Sequence, residues 1–395
     1  MRSLKFSKSR FLLFLFVSAL LLVSLLFSTK IETAINGNAK EVKSGALSEI
    51  VDGDLELHFI YVGQGDSTAI RLPDGKTMLI DAGPKKSSSD LTTYLDNVFF
   101  EGSDKTIDYF ILTHTDEDHT GGAVTILNNY DVKAVYRPNV RSKSETEPAD
   151  AFEVTTATWD NAVKAMAQAD SVITISKDLE IPEYIDSDPA KSYLFTFYGP
   201  INPPYSDNND YSPVMMLENN GKKYMFTGDA SEDIEKEFLN TYSSRLADFD
   251  VDVLKVGHHG SRTSTCDEFL AAVKPEWAVI SCGIDNKYGH PNNEVINRLT
   301  SANCQILRTD VSGSVILYSH AGDIKYIVDF FTPITKDIKW WYFVALGIGI
   351  MFVICFTGRK IKVDSDSNGN VSVSLSGGKI SKSSSKYKKS NSRQK

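Results

Sequence analysis

The sequence predicts an α/β layered fold, and three observations lead to this prediction. Short runs rich in β-branched and aromatic residues alternate along the chain with stretches whose apolar residues recur at helical spacing. Glycine and aspartate stand at the ends of several strand-like runs and predict tight turns there. Apolar residues make up 42% of the 395 residues, which is enough for a full core. We therefore expect mixed strands and helices packed in layers.

The predicted elements start near Leu55 and follow one another without an internal repeat. An Asn-Gly pair in the run NNGK predicts a hairpin turn between two strands. Helices are predicted over residues 121–128 and 151–169 and in the runs SEDIEKEFL, CDEFLAAVKP and NEVINRLTSAN. Strands are predicted in the runs LELHFIYVG, STAIRL, KTMLIDAG, DYFILTH, SYLFTFYGP, VMMLENNGKKYMFTGD, VDVLKVGHH, EWAVISCG and QILRTD.

Two uncharged apolar segments stand apart from this pattern. Residues 11–27 follow a basic N-terminus, and residues 340–357 lie between a Trp-Trp-Tyr run and a basic flank. Both segments are close to the length that spans a bilayer, and aromatic and basic flanks are typical of membrane helices. We expect residues 11–27 to be an uncleaved anchor, with a signal peptide as the alternative, and residues 340–357 to be a transmembrane helix.

The charges that flank the two segments predict the topology. Basic residues before the first segment and after the second place both chain ends in the cytoplasm and the middle of the chain outside the cell membrane. The Ser- and Lys-rich tail has few apolar residues and is expected to be disordered. The predicted organisation is a basic cytoplasmic N-terminus (1–10), an anchor (11–27), a linker (28–53), a globular outer domain (54–330), a transmembrane helix (340–357) and a cytoplasmic tail (358–395).

The outer domain is strongly acidic. The whole chain carries a net charge of −9, whereas residues 1–30 contribute +5 and residues 359–395 contribute +8, so the remainder carries −22. An acidic surface repels polyanions at long range. This charge argues against a protein that tracks long stretches of DNA. A local basic patch of Lys255, Arg262, Lys287 and Arg298 could act at a site, although each could equally be a solvated surface charge.

The run LTHTDEDHTGG at residues 112–122 concentrates metal-capable side chains directly after a predicted strand. His114 and Asp116 can serve one metal ion, and Asp118 and His119 can serve a second. Imidazole and carboxylate ligands suit Zn²⁺ or Mn²⁺, and the chain has no Cys-x-x-Cys pair that would indicate a cysteine site. Two such ions can clamp the oxygens of a hydrolysed ester. The Gly-Gly pair is expected to let the next helix start close to the metals.

Three further runs add metal-capable residues at predicted strand ends. FTGDA provides Asp229, whose carboxylate can bridge two ions, LKVGHHGS provides His258 and His259, and KYGHP provides His290. Five of the seven histidines thus lie in glycine-rich turns. The other two, His58 and His320, are expected to be structural.

Together, HTDEDH, GQGDS, LIDAG, TGD, KVGHHGS and YGHP closely resemble the metallo-β-lactamase fold. Within that fold they resemble the hydrolase domain of ComEC-like competence proteins, which take up DNA. The resemblance covers about residues 55–320 and implies an αβ/βα sandwich with a two-metal site at one edge. It implies a phosphodiester substrate, with DNA as the candidate, and Zn or Mn as the metals.

The resemblance also assigns residues to roles. Asp81 of LIDAG is expected to support the histidine loop, while a late histidine such as His290 could instead be a ligand, as in many relatives. The implied metal ligands are His114, Asp116, Asp118, His119, Asp229 and His259. The expected catalytic residues are His258, His290 and Asp118, and the expected substrate-binding residues are Ser261, Gln64, Asp66 and Asn209.

The chain departs from the family pattern in three respects. Asp116 stands where the commoner motif has a histidine, and the usual third histidine of the first site would fall near DNNDYS, where Asn208, Asn209 and Asp210 stand. One metal site is therefore expected to be open or weakly held. The uptake proteins also carry a many-helix channel region, whereas this chain has two predicted spans and cannot itself form a DNA channel.

The expected function is that of a membrane-anchored, outward-facing phosphodiesterase or nuclease. The variant motif and the His-His pair also resemble a surface phosphorylcholine esterase that acts on wall polymers, which gives a second enzymatic interpretation. A surface binding protein that kept the fold without catalysis is the alternative from another class. Metal content and hydrolysis by the purified protein separate these interpretations.

Overall fold

The computed structural model describes residues 50–102, 104–147, 151–320, 322–328, 360–365 and 371–376. The chain divides into two compact units, residues 39–334 and residues 1–38 together with 335–395. The predicted N-terminus (1–10), both predicted spans and most of the linker lie outside the described residues. Within the described ranges, no helix combines the length and apolarity needed to cross a membrane.

The larger unit contains two mixed β-sheets. Its described strands are β1 (Leu55–Phe59), β2 (Thr68–Arg71), β3 (Thr77–Ile80), β4 (Thr106–Ile111), β5 (Asp131–Arg137), β6 (Val140–Ser142), β7 (Phe152–Val154), β8 (Ser171–Thr174), β9 (Leu179–Tyr184), β10 (Tyr193–Phe197), β11 (Met215–Asn219), β12 (Lys222–Phe226), β13 (Val253–Lys255), β14 (Trp277–Ile280), β15 (Gln305–Arg308), β16 (Val315–His320) and β17 (Asp323–Val328).

The first sheet has eight strands in the order β17-β16-β1-β2-β3-β4-β5-β8, and the second has seven in the order β15-β14-β13-β12-β11-β10-β9. Each sheet joins an antiparallel half to a parallel half. Strands β3, β4, β5 and β8 run parallel in the first sheet, and β12 to β15 run parallel in the second. Strands β6 and β7 form a separate short pair.

Helices follow the parallel strands, as crossover connections require. The described α-helices are α1 (Ser88–Tyr94), α2 (Glu117–Thr120), α3 (Ala123–Asn129), α4 (Ala157–Ala165), α5 (Glu232–Thr241), α6 (Asp267–Val273), α7 (Asn293–Ser301) and α8 (Thr309–Ser312).

Three apolar cores hold the layers together. Inward side chains of both sheets, such as Leu57 of β1 and Phe197 of β10, form the central core. Trp159 of α4 belongs to a core on the outer face of the first sheet, and Phe269 of α6 belongs to one on the outer face of the second. The order helix, sheet, sheet, helix confirms the predicted αβ/βα sandwich.

The structure differs from the prediction in one helix of this domain. Residues 151–169 were expected to be helical throughout, but Phe152–Val154 forms β7 and the helix α4 begins only at Ala157. The aromatic and β-branched residues at the start of this segment favour a strand. Thr156 then caps α4, because its hydroxyl accepts a hydrogen bond from the backbone N–H of Trp159.

The smaller unit contains two described strands, β18 (Lys360–Ser365) and β19 (Val371–Ser376), which pair antiparallel. They lie within residues 358–395, the tail that the sequence predicts to be disordered. The alternation of apolar and polar residues in KIKVDS and VSVSLS accounts for the pairing.

Candidate metal centre

The candidate site lies where parallel strands of both sheets end. Asp81 follows β3, residues 112–119 follow β4, Asp229 follows β12, and His258 and His259 follow β13. Because β3 pairs parallel with β4, and β12 with β13, their carboxyl ends meet at one edge of the sandwich. The structure thus brings together the strand-end histidines and carboxylates that the sequence singles out.

The Gly-Gly pair after the histidine motif lies against the turn that follows Asp81. A Cβ on Gly122 would lie 2.3 Å from the backbone oxygen of Ala82, and one on Gly121 would lie 2.3 Å from the backbone nitrogen of Lys85. The glycines therefore let the motif pack against the turn that follows Asp81. This close approach brings Asp81 beneath the histidines.

His119 is held by Asp81. The Nδ1 atom of His119 lies 2.7 Å from Asp81 Oδ2, and both side chains are buried. A carboxylate can only accept here, so Nδ1 carries the proton and Nε2 presents a lone pair. This arrangement of carboxylate and histidine is typical of metal-binding imidazoles. The geometry agrees with the supporting role expected for Asp81.

His114 is held by the same carboxylate through a hydroxyl. Thr113 Oγ1 donates to Asp81 Oδ2 at 2.8 Å, and His114 Nδ1 lies 3.0 Å from Thr113 Oγ1. Since the Thr113 hydrogen is already donated, the Nδ1–H of His114 donates to Thr113 Oγ1 and lies 3.2 Å from a second acceptor, Ser212 Oγ. The Nε2 atom of His114 therefore also carries a free lone pair. Burial lowers the pKa of this ring to about 4.

His259 is oriented from the other sheet. Its Nδ1 lies 3.0 Å from the carbonyl oxygen of Ser281 and 3.3 Å from Asp66 Oδ1. A carbonyl accepts only, so Nδ1 carries the proton and Nε2 faces the opposite side. On that side Nε2 lies 3.2 Å from Asp118 Oδ2 and 3.5 Å from Asp229 Oδ2.

The imidazole lone pairs converge on Asp229. Its Oδ1 lies 3.2 Å from His119 Nε2, and its Oδ2 lies 3.6 Å from His258 Nε2. Among the described residues, the buried atoms His114 Nε2, His119 Nε2, His259 Nε2 and Asp229 Oδ1 have no hydrogen-bond partner. Buried polar atoms without partners cost about 1–3 kcal/mol each. Their convergence fits divalent cations, for which imidazole and carboxylate are suitable ligands.

Asp66 belongs to the cluster but faces away from its centre. Ligand-capable atoms of Asp66, His119, Asp229 and His259 lie within 4.8 Å of one another. Asp66, however, faces the protonated Nδ1 of His259 and pairs with the buried Lys255 at 2.6 Å. We therefore infer that Asp66 orients the His259 ring. Asp66 is buried, with 5% of its surface exposed, and its role in substrate binding stays a prediction.

The remaining carboxylates lie on either side of Asp229. Asp118 reaches His259, while Asp116 Oδ1 accepts a hydrogen bond from Asn208 Nδ2 at 3.3 Å. Burial and the neighbouring Asp118 raise the pKa of Asp116. Asn208 thus stands at the place expected for the missing third histidine. Asn209, which is predicted to bind substrate, starts a short turn, and its backbone N–H donates to Asp207 Oδ1.

The sequence comparisons agree with this arrangement. The profile of the metallo-β-lactamase superfamily matches residues 60–284. The chain belongs to this superfamily. It is 30% identical over 273 residues to ComE operon protein 3 of Bacillus subtilis, covering 66% of this chain and 32% of the relative. It is 29% identical over 260 residues to Recombination protein 2 of Haemophilus influenzae, covering 66% of this chain and 28% of the relative.

A third relative matches a shorter stretch. Competence protein ComA of Neisseria gonorrhoeae is 37% identical over 131 residues, which cover 33% of this chain and 18% of that protein. The chain therefore spans about a third or less of the length of each of these relatives. Within the shared region it is a superfamily domain related to the competence proteins, as the sequence motifs predict.

Two histidines line the outer side of the superfamily site. The ring centroids of His258 and His290 lie 5.6 Å apart, and the side chain of His258 is 25% exposed. The pKa of His290 is lowered to about 4 by burial and by His259 and His258. Ser261 lies nearby in sequence, but its hydroxyl pairs with Thr263 at 2.9 Å and only 6% of the residue is exposed.

Gln64 fixes the tautomer of His290. The Gln64 Oε1 atom accepts a hydrogen bond from the backbone N–H of Gly283 at 3.1 Å, which sets the orientation of the amide. Gln64 Nε2 then donates to His290 Nδ1, 3.5 Å away at the long limit of a hydrogen bond. The proton of neutral His290 consequently lies on Nε2. Gln64 contacts His290 in this structure, and its role in substrate binding stays a prediction.

Neighbouring carboxylates shift the pKa values of two buried histidines, His119 and His259. Burial would lower the pKa values of His119 and His259, but Asp229 together with Asp81 raises that of His119 well above its usual range. Asp229 and Asp66 raise that of His259 to about 10.

Two basic residues of the predicted surface patch, Lys255 and Arg298, have structural roles that the sequence does not predict. Lys255, assigned to a surface basic patch, is 3% exposed and pairs with Asp66. Arg298 donates to the backbone oxygens of Ser264 and Thr265, so it also has a structural role. The apolar residues on both sides of Lys255 indicate its burial, because a parallel strand in the middle of a sheet is buried. His58 is structural as expected, with Nδ1 3.0 Å from the hydroxyl of Tyr94.

Proposed function

We propose that the chain is a metal-dependent phosphodiester hydrolase that uses two divalent ions, Zn or Mn. The observation that carries the proposal is the position of Asp229. Its two carboxylate oxygens face His119 on one side and both His258 and His259 on the other. Further ligand-capable groups lie nearby, with Asp118 next to His259 and the buried lone pair of His114 beside His119. A carboxylate between two ligand sets suits a pair of ions, which can clamp both oxygens of an in-line displacement.

The chain's own residues orient this reaction. Divalent ions bound at the site would act as Lewis acids towards the phosphoryl group. Asp81, Thr113 and Ser281 fix the imidazole rings so that their lone pairs point inward. His258 and His290 stand on the outer side, where a substrate's leaving oxygen would lie. His290, with its proton on Nε2, is the residue we propose to stabilise the negative charge on that oxygen by donating a hydrogen bond.

A nucleic acid is the substrate class we favour. The names of two relatives refer to recombination and competence, which supports a DNA-related role. The acidic balance of the middle of the chain argues against long-range capture of polyanions. We therefore propose that the site recognises a short stretch of nucleic acid locally. DNA is the first candidate.

The location we propose is the outer face of the cell membrane. The support is the charge pattern of the sequence, in which basic residues flank the two uncharged segments on the sides away from the middle of the chain. Membrane anchoring through both segments would hold the catalytic domain outside and the tail in the cytoplasm.

The test uses the full-length chain, purified in detergent and loaded with Mn²⁺ or Zn²⁺. Bound metal is measured by mass spectrometry, and hydrolysis is measured on single-stranded DNA, double-stranded DNA, a cyclic dinucleotide and a phosphorylcholine ester. We expect bound metal and hydrolysis of nucleic acid, both lost in Asp229→Ala. Bound metal with hydrolysis of the choline ester alone would favour the wall-polymer enzyme. Absence of metal and of any hydrolysis would favour a binding protein.

A further inference from the structure

The loop between β14 and α7 carries an exposed aromatic side chain beside the candidate metal centre. Tyr288 is 55% exposed, and its ring stacks on His290 with centroids 5.6 Å apart and planes 22° apart. His290 in turn stacks on His259, with centroids 6.2 Å apart and planes 30° apart. Three rings thus lead from the buried histidine cluster to the surface.

The loop that carries Tyr288 is held by one asparagine. Asn286 Oδ1 accepts hydrogen bonds from the backbone N–H groups of Tyr288 and His290, at 3.2 Å and 3.0 Å. Asn286 Nδ2 donates to the backbone oxygen of Gly283 at 2.9 Å. The aromatic ring is therefore positioned before any ligand arrives, which lowers the entropy cost of binding.

A cavity of about 500 Å³ adjoins the ring. Its wall includes Arg262, which is positioned by Asn292 because Asn292 Oδ1 accepts from the backbone N–H of Arg262 at 2.8 Å. The Arg262 side chain is 65% exposed, and its contact with Glu294 is 3.6 Å long. Exposed ion pairs of this kind are worth little, so the guanidinium can exchange partners. The lining residues are Arg262, Tyr288, Gly289, Pro291, Asn292 and, along α7, Asn293, Glu294 and Asn297.

We propose that this cavity is the subsite for the nucleoside next to the scissile phosphate, with its nucleobase stacked on Tyr288 and a neighbouring phosphate at Arg262. The proposal rests on the proposed phosphodiester hydrolysis. A base offers its face to Tyr288 only when it is unpaired, so the subsite selects nucleotides or single strands. Stacking of one base on an aromatic residue contributes about 1–3 kcal/mol, or about 5- to 150-fold in affinity.

The same geometry disfavours a choline group. Choline is recognised by aromatic faces that surround a cation. Here the Lys287 ammonium lies over the Tyr288 ring, 4.9 Å from its centroid, and a stacked base would displace it towards a phosphate. Arg262 and Glu294 line the same cavity, and the Glu294 carboxylate is paired with Arg262 at 3.6 Å. The two positive groups outnumber the one carboxylate, so the cavity favours a phosphate over a quaternary ammonium.

The kinetic test compares two esters with one leaving group, thymidine 5′-(4-nitrophenyl) phosphate and methyl 4-nitrophenyl phosphate, on the full-length chain with Mn²⁺. We expect Tyr288→Ala to raise KM for the thymidine ester about tenfold more than for the methyl ester, and Tyr288→Phe to stay close to the parent. Val311→Ala, at a site that is 42% exposed and outside the cavity, is the control. Equal effects on both esters would overturn the subsite.

A binding test keeps the subsite separate from the reaction. Fluorescence anisotropy with a labelled phosphorothioate oligothymidylate measures affinity without turnover. We expect Tyr288→Ala to weaken binding about 5- to 150-fold and Arg262→Gln to weaken it further than Arg245→Gln, whose side chain pairs with Asp248 outside the cavity. A parent that binds the oligonucleotide through Tyr288 but hydrolyses no ester would support the subsite and overturn the proposed function. Unchanged binding in Tyr288→Ala, or a loss confined to a choline phosphate ester, would overturn the subsite.

Discussion

The carboxylate of Asp81 fixes two histidines of the candidate metal centre, His119 directly at 2.7 Å and His114 through the hydroxyl of Thr113. Asp81 thus sets the tautomer of His119 directly and contributes to that of His114 through Thr113, beside the contact with Ser212. Asp81 has a left-handed backbone conformation, with φ of 59°, that brings its carboxylate under the motif. Aspartate tolerates this conformation better than most residues.

The first prediction concerns this shared support. Asp81→Asn should weaken metal binding about 10- to 100-fold, because both rings lose a charged partner that orients them. Thr113→Val should affect metal binding less, since it removes only the link to His114. Metal content after dialysis against graded chelator measures the difference, with the exposed Asp90→Asn as control. Equal metal retention in Asp81→Asn and Asp90→Asn would contradict the shared support.

The second prediction concerns the bridge. Asp229→Ala should lower the occupancy of both ions together, since its two oxygens face different imidazoles. Asp118→Ala should mainly lower one, because Asp118 contacts His259 whereas Asp116 contacts Asn208. Stoichiometry measured by mass spectrometry separates the two outcomes. Two tightly held ions in Asp229→Ala would show that the bridge is assigned wrongly.

The sequence predicts the sandwich and the members of the metal cluster because both depend on local signals. Apolar runs identify strands, and His114, Asp229 and His259 each come just after one. The sequence does not predict which nitrogen of each imidazole ring faces the centre of the metal cluster. That property depends on Asp81, Ser281 and Asp66, which arrive from other strands and loops.

The roles of Asp66 and Lys255 illustrate the same limit. GQGD has the composition of an exposed turn, and a lysine is usually solvated. Asp66 follows β1 of the first sheet, whereas Lys255 ends β13 of the second, and their pairing buries both. Burial across the two sheets is a tertiary property. A pattern within either segment does not contain it.

The third prediction follows from this pair. Lys255→Met should destabilise the fold by about 3–5 kcal/mol, because it leaves Asp66 charged and buried without its partner. Combining it with Asp66→Asn should restore part of the loss. Urea unfolding of the full-length chain measures the free energies, and Lys222→Met provides a matched control at the more exposed pair with Asp252. The control should cost about 1 kcal/mol or less. Equal losses in the two lysine variants would contradict the buried pair.

The fourth prediction is that metal affinity rises with pH. In the metal-free protein, nearby carboxylates raise the pKa values of His119 and His259, the latter to about 10, so both rings hold an extra proton at neutral pH. A metal must displace these protons, and raising the pH removes them beforehand. His114, whose pKa is lowered to about 4, should release none. Calorimetry in buffers of different ionisation enthalpy counts the released protons, and binding without proton release would contradict the prediction.

The last prediction distinguishes the two roles of His290, donor to the leaving group or metal ligand. The amide of Gln64 faces Nδ1 of His290, so neutral His290 carries its proton on Nε2 and presents an N–H group. If His290 is the donor, His290→Ala should leave the metal content unchanged and lower the rate about 10²- to 10⁴-fold. The loss should shrink with a good leaving group such as 4-nitrophenolate, which disperses its negative charge and gains little from a hydrogen bond. If His290 is a metal ligand, His290→Ala should lower the metal content and slow the hydrolysis of all substrates alike.

Gln64→Ala should give a milder form of the donor result, because it frees the tautomer of His290 without removing the ring. Metal content measured beside rates on poor and good leaving groups decides the matter, and metal loss with uniform inactivity would rule out the donor role.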